Sequence, residues 1–296
     1  MTAAVIDLGS NSVRMGIYEK KNDSVQTIEE MRFPVRLSEG LSTDNKLKPP
    51  AMARTLAALL EMRKAIDRYP KIAVKCVATE AMRRAENAEL FRKTVLETTD
   101  INIEIIGGEQ ETRFGLWAAR QSAGCDDFYM LDTGGGSFEL ALCENGELKS
   151  HICLPYGAVV LTDTFHPDEN GTANISAFMN KTLAEYPWIQ KNNYPIVLLG
   201  GSNRMIGKLY KSVTTDKELD GVRIPVPEVK KIMQTVISMP QQERINLVGM
   251  EKNRIDIITA GLAPLTALIE KTDSHTLIIS TKSIRDGIAN ELLSNK

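Results

Sequence analysis

Apolar and polar positions in the first thirty residues follow a pattern that returns later in the chain. The apolar run "TAAVI" leads into "DLGSNSVRMG". The segment "VRMGIYE" then alternates apolar and polar, breaks at the polar stretch "KKND", and resumes as "SVQTIEE". Alternation with period two, bounded by Gly, Asn and Asp, predicts hairpin-connected strands. Shifting the sequence by 125 positions lays Asp7 on Asp132, Gly9 on Gly134, Ser12 on Ser137, Met15 on Leu140 and Glu19 on Glu144. The second copy reads "DTGGGSFELALCE", then "ENGE", then "LKSHICL". Each copy therefore predicts a three-stranded meander.

The pattern then changes period in both halves. Met52, Leu56, Leu59, Leu60, Met62 and Ile66 form one apolar face of a helix over Pro50–Tyr69, and Ile175–Trp188 is its counterpart. Strands follow, "IAVKCVAT" from Ile72 and "IVLLGGSN" from Ile196. A further strand and helix close each half: "INIEII" with Glu109–Arg120, and "HTLIIS" with Ser283–Leu293. The second half adds helices over Val226–Ser238 and Ile255–Glu270. Three antiparallel strands, a helix, a strand, then a strand with a helix describe an α/β half with a mixed sheet. The chain is expected to be an internal duplication whose halves face each other, the first ending near Ala123.

Composition narrows the functions open to such a chain. The formal net charge of the 296 residues is only −2, so no global field draws nucleic acid or an acidic membrane. A polyanionic substrate has to be held by local groups. No apolar run approaches the roughly 18 residues of a membrane helix, and Asp7 interrupts the N-terminal apolar run, against a cleaved signal peptide. Cys76, Cys125, Cys143 and Cys153 show no C-x-x-C spacing and read as reduced, mostly buried thiols of a cytoplasmic protein. His151, His166 and His275 have no metal-ligand spacing.

The chemistry concentrates in the repeated turns. A tight Gly-rich hairpin points backbone N–H groups outward, which suits a phosphate oxygen. Ser10, Asn11, Ser12 and Ser137 add side-chain donors, while Gly134, Gly135 and Gly136 leave the second loop almost bare backbone. Asp7 and Asp132 each end a strand beside a loop. Two carboxylates near a phosphate require a cation, and Mg²⁺ suits carboxylate, water and phosphate oxygens. Glu139 lies two residues past Ser137, on the same strand face. "GGEQETRFG" follows a strand and opens a helix. Acidic residues are common at a helix start for dipole reasons alone, yet Glu111 is suited to act as a general base, its pKa expected to rise beside bound polyphosphate. In "VATEAMRRAEN", Arg83 or Arg84 is placed to meet an anionic substrate, and "GGSN", Gly200 to Asn203, holds the equivalent strand end in the second half.

Taken together, "DLGSNSVRM", "ATEAMRRAEN", "GGEQETRFG", "DTGGGSFEL", "YGAVVLTDTF", "RIDIITAGLAPL" and "SIRDGI" resemble, in order and over nearly the whole chain, the exopolyphosphatase/guanosine pentaphosphate phosphohydrolase (Ppx/GppA) family. The resemblance implies duplicated ribonuclease-H-like domains of the actin-like ATPase superfold facing an interdomain cleft. The domains would be 1–123, joined by the C-terminal helix 284–296, and 124–283. It implies Mg²⁺-assisted release of the terminal phosphate of inorganic polyphosphate, of guanosine pentaphosphate, or of both. By position, Glu111 would activate water, and Asp132 and Glu139 would bind the metal. Asp7, Gly9, Ser10, Asn11 and Ser12 would line the first phosphate loop and Gly134, Gly135, Gly136 and Ser137 the second, with Arg83 holding phosphate. The chain matches the short two-domain form, in which only a homodimer would extend the surface for a long chain. It departs from the family pattern at Phe138 (Thr in the family), Asn203-Arg204 (Gly-Thr) and Ser283-Ile284 (Gly-Leu). The change at Asn203-Arg204, in a Gly-rich loop expected near the cleft, motivates an alternative: a weakly active polyphosphate- or alarmone-binding sensor.

Overall fold

The computed structural model describes residues 1–22 and 24–294. Asp23, in the expected turn "KKND", and the last two positions of the expected helix 284–296 lie outside them. The chain divides into two compact units, Met1–Phe114 with Ile284–Lys296, and Gly115–Ser283.

The first unit is built on one five-stranded sheet. Its strands are β1 (Thr2–Leu8), β2 (Ser12–Lys21), β3 (Ser24–Pro34), β4 (Ala73–Ala78) and β5 (Ile103–Ile105). Their order is β3-β2-β1-β4-β5, with β1, β4 and β5 parallel and the meander antiparallel. Apolar residues cover β1 on both faces, which accounts for its continuous apolar run. Ala4, Ile6 and Leu8 cluster with Leu59, Met62 and Ile66 of the helix Pro49–Ile66. Ala3 and Val5 cluster with Ile284, Ile288 and Leu293 of the helix Ile284–Ser294. The final helix thus completes the first unit, far from it in sequence.

The second unit repeats the plan. Strands β6 (Phe128–Thr133), β7 (Phe138–Glu144), β8 (Glu147–Leu154), β9 (Ile196–Leu199), β10 (Arg223–Pro225) and β11 (Thr276–Ile279) lie in the order β10-β11-β9-β6-β7-β8. Apart from the added edge strand β10, this is the order of the first sheet. The duplication extends to irregularities. The β2/β3 register slips between Ile17 and Tyr18 and the β7/β8 register between Leu142 and Cys143, positions related by the same shift of 125. The architecture is therefore the duplicated α/β arrangement of the ribonuclease-H-like superfold. Tyr129 and Leu131 of β6 join one core and Phe128 and Met130 the opposite one.

Several elements differ from expectation. The division between units falls inside the helix Gly108–Ala123 rather than at Ala123, because Leu116, Ala118, Ala119 and Ala123 pack with Phe128 and Met130 of the second unit. The helix expected over Ile255–Glu270 is two pieces, Ile258–Gly261 and Ala263–Lys271, with Pro264 at the break, where it supplies no N–H. The helix Ala88–Thr99 was not legible in the sequence. Its buried stripe is only Ala88, Phe91, Val95 and Thr99, and the exposed Leu90 and Leu96 blur the period. Of the cysteines, Cys76 and Cys143 are buried, Cys153 is half-buried and Cys125 is exposed, and none of the four is in a disulfide.

Candidate active site

In each unit the chemistry-bearing loops leave the carboxyl ends of adjacent parallel strands. In the first unit, β1 runs into the loop Gly9–Asn11, β4 into the short helix Glu80–Arg84, and β5 into the helix Gly108–Ala123. These strands pair directly, with Leu8 beside Ala78 and Ala78 beside Ile105. In the second unit, β6, β9 and β11 deliver Gly134–Ser137, Gly200–Ser202 and Ser280–Ser283 in the same way. Ligands of open α/β sheets bind at such ends, because strand carboxyl termini and following helix N-termini converge there.

The two Gly-rich turns have one geometry. Gly9 N–H donates to Ser12 O at 3.2 Å, and Gly134 N–H to Ser137 O at 3.0 Å. A Cβ on Gly9 would meet Ser12 O at 3.2 Å, and one on Gly134 would meet Ser137 O at 3.1 Å, so both turns are tight at the same point, and a side chain there would push the Ser carbonyl by a few tenths of an ångström. Both loops are also braced from behind by the segment that follows the third strand. Ser10 O accepts from Ser38 N–H and Asn11 O from Val35 and Arg36 N–H, at 3.0–3.2 Å. In the second unit Gly134 O accepts from Ala158 N–H, Gly135 O from Val159 N–H and Gly136 O from Gly157 N–H, at 2.9–3.1 Å. In a trans peptide the C=O and the next N–H point in opposite directions. Tying the carbonyls back therefore turns the N–H groups of Asn11, Ser12, Gly136 and Ser137 away from the brace, as an anion-binding nest requires. The Asn11 side chain is 7% exposed and both its polar atoms lack a partner. Such a group costs free energy unless something binds there.

Glu111 sits in the first turn of the helix Gly108–Ala123, 8% exposed. Arg83 Nη1 donates to Glu111 Oε2 at 2.8 Å and to Ile106 O at 2.9 Å, while its Nε and Nη2 donate to Glu80 Oε2 at 3.0 and 2.8 Å. The structure thus brings Arg83, expected to face phosphate, directly onto the glutamate expected to activate water. Arg84 donates to Asn45 at the surface instead. Glu80, 8% exposed, was not singled out in the sequence, where it reads as an ordinary acidic residue opening a helix.

In the second unit Asp132 and Glu139 are direct register partners on β6 and β7, so both carboxylates project from one face of the sheet. Ser137 Oγ donates to Glu139 Oε1 at 2.8 Å. Gly200 has φ +85°, and a Cβ there would meet Thr133 O at 2.6 Å and Asp132 Oδ1 at 2.7 Å. The positive φ and the close packing against Thr133 and Asp132 both require glycine here. Two neighbouring carboxylates, one of them 3% exposed, make an oxygen-rich donor set that suits a hard divalent cation. The corresponding pair in the first unit is Asp7 with Arg14. Burial pushes the Asp7 carboxyl up from its ordinary value, opposed by the charges of Arg14 and Arg285.

The model of the Ppx/GppA phosphatase family matches residues 16–296. The chain belongs to the Ppx/GppA phosphatase family. A crystal structure of the Aquifex aeolicus Ppx/GppA family member is similar over 100% of this chain and 99% of that one, with a TM-score of 0.84 and 30% identity. An exopolyphosphatase of Cytophaga hutchinsonii shares the fold, with a TM-score of 0.89 at 20% identity over 100% and 98% of the chains. A Photobacterium profundum protein named guanosine-5'-triphosphate,3'-diphosphate pyrophosphatase is 26% identical over 98% of this chain, which spans 59% of that protein's length.

Within the Ppx/GppA family pattern, the departures of this chain fall where the unit packs on itself. Asn203 is fully buried, and its Nδ2 donates to Leu199 O at 2.7 Å and to Thr133 Oγ1 at 3.3 Å. Arg204, 7% exposed, donates to Thr281 O and pairs with Asp216. Both side chains are thus engaged by partners within the unit, Arg204 on the loop that follows β11. Among the described residues no helix is long and apolar enough to cross a membrane.

Proposed function

We propose that this chain is a Ppx/GppA-type phosphohydrolase that releases the terminal phosphate of inorganic polyphosphate, of guanosine pentaphosphate, or of both. The observation that carries the reading is the pair of turns with carbonyls tied back and N–H edges turned out, one in each unit. These N–H groups, with Ser10, Asn11, Ser12 and Ser137, would hold phosphate oxygens. Glu111, oriented by Arg83, would take a proton from water as the water oxygen bonds to the terminal phosphorus. The bond from that phosphorus to its bridging oxygen breaks, and its electron pair stays on the penultimate phosphate. Asp132 and Glu139 would hold Mg²⁺ or another divalent cation, which supplies positive charge against the phosphate oxygens. Such catalysis is mostly positioning and electrostatics. A homodimer would lengthen the surface available to a long chain.

The test offers long polyphosphate, short polyphosphate and guanosine pentaphosphate in parallel to the purified protein with Mg²⁺. Phosphate release from at least one, abolished by chelation, is expected. No release from any of the three would overturn the proposal.

A further inference from the structure

The pairing of Asp132 with Glu139 continues one strand further: Glu139 is the direct register partner of Cys153 on β8. Two carboxylates and a thiol therefore form a single row across three strands, on one face of the sheet. The first unit has the same row built from other residues, Asp7 to Arg14 to Arg32. The aspartate is common to both. The second and third places are Arg and Arg in one unit, Glu and Cys in the other. The fold does not demand a thiol at the third place, since Arg32 fills it in the first unit.

The thiol contacts the glutamate beside it. Cys153 Sγ donates to Glu139 Oε1 at 3.2 Å, the same oxygen that accepts from Ser137 Oγ at 2.8 Å. A thiol is a weak donor, but a carboxylate acceptor strengthens the bond. One donor alone leaves a glutamate free to swing about that contact. Two donors, Ser137 from the loop that precedes β7 and Cys153 from β8, fix the plane of the carboxylate and so the direction of its remaining lone pairs.

We propose that Cys153 is a positioning residue whose thiol holds Glu139 in the orientation that takes a divalent cation. The inference rests on the reading of Asp132 and Glu139 as cation ligands. Partners that orient a metal ligand typically contribute 10- to 100-fold in metal affinity.

The test titrates the full chain with Mn²⁺ alone and counts free Mn²⁺ by electron paramagnetic resonance. Wild type, Cys153→Ala, Cys153→Ser and Glu139→Gln are compared, with circular dichroism confirming the fold of each. Cys153→Ala is expected to weaken Mn²⁺ binding about tenfold, and Cys153→Ser, which keeps a donor, to stay within about threefold of wild type. Glu139→Gln is expected to lose the site. If Cys153→Ala binds like wild type, or Cys153→Ser is as weak as Cys153→Ala, the proposal is overturned while the cation reading stands. If wild type binds no Mn²⁺, or Glu139→Gln binds as wild type does, the cation reading falls and takes the proposal with it. The unmutated chain gives a second readout that requires no variant to fold. Mn²⁺ is expected to slow alkylation of Cys153 by iodoacetamide relative to the exposed Cys125, and an unchanged ratio counts against the proposal.

Discussion

Adding one methyl group at Gly157 is expected to disable the second phosphate loop without unfolding the chain. Gly157 precedes the helix Ala158–Phe165 with φ −77° and ψ 175°, a conformation alanine adopts freely. Its Cβ would nevertheless stand 2.5 Å from Gly135 C, 2.6 Å from Gly135 O and 2.6 Å from Gly136 N. All three are backbone atoms, so no side chain can rotate away. Restoring ordinary contact at 3.4 Å or more moves the loop by roughly 1 Å. Overpacking of this kind costs about 1–3 kcal/mol of stability, which a unit with so large a core withstands. A misplacement of about 1 Å costs catalysis about 100-fold, or about 2.7 kcal/mol of transition-state stabilisation. The assay is kcat/KM for phosphate release by Gly157→Ala, read beside its thermal unfolding. Gly107→Ala, whose Cβ meets nothing within 4 Å, controls for the substitution itself. Activity of Gly157→Ala within about twofold of wild type would refute the claim that the brace sets the loop.

Glu111→Gln is expected to keep substrate binding by equilibrium dialysis and to lose at least about 100-fold in turnover, the scale of general base catalysis; wild-type turnover would remove Glu111 from its role. Asp7 carries a raised folded-state pKa through burial, so its contribution to stability is complete below the unfolded value and is lost as pH rises through the folded one. Asp7→Asn is therefore expected to be less active yet more resistant to urea than wild type at pH 7 in chelator. That advantage should shrink towards pH 3, and equal or lower resistance at pH 7 would contradict the assignment. Arg244, 1% exposed, donates to both Asp168 oxygens at 2.9 and 2.7 Å and to Val236 O and Ile255 O at 3.1 Å. Arg244→Ala leaves Asp168 without this partner and is expected to cost about 3–5 kcal/mol in denaturant unfolding, whereas a loss below about 1 kcal/mol would mean the pair is solvated.

Much of the fold was legible because the repeat doubles every signal. The strand-end aspartates, the Gly-to-Ser turn and the meander each occur twice with one spacing, and chance seldom copies a whole order of elements. The loops were legible for the same reason. Their braces were not. The segment 35–38 follows the 11-residue strand β3 and the segment Gly157–Val159 follows the 8-residue strand β8, so a fixed shift does not align them. The contact between Arg83 and Glu111 was not legible, because an arginine near an anionic substrate and an arginine clasping two glutamates look alike in sequence. The 2.8 Å contact appears only in the structure. Cys153 was hidden in an apolar strand, where a thiol reads as a small hydrophobe. The edge strand β10 spans three residues and ends in Pro225, too short and too broken to register as a period.

The most direct test of the central claim is hydrolysis in ¹⁸O-enriched water. With Mg²⁺ and either polyphosphate or guanosine pentaphosphate, attack of water on the terminal phosphorus predicts that each released phosphate carries a single ¹⁸O atom and that the shortened product carries none. Label in the shortened product, or no phosphate released from either substrate, would contradict the account.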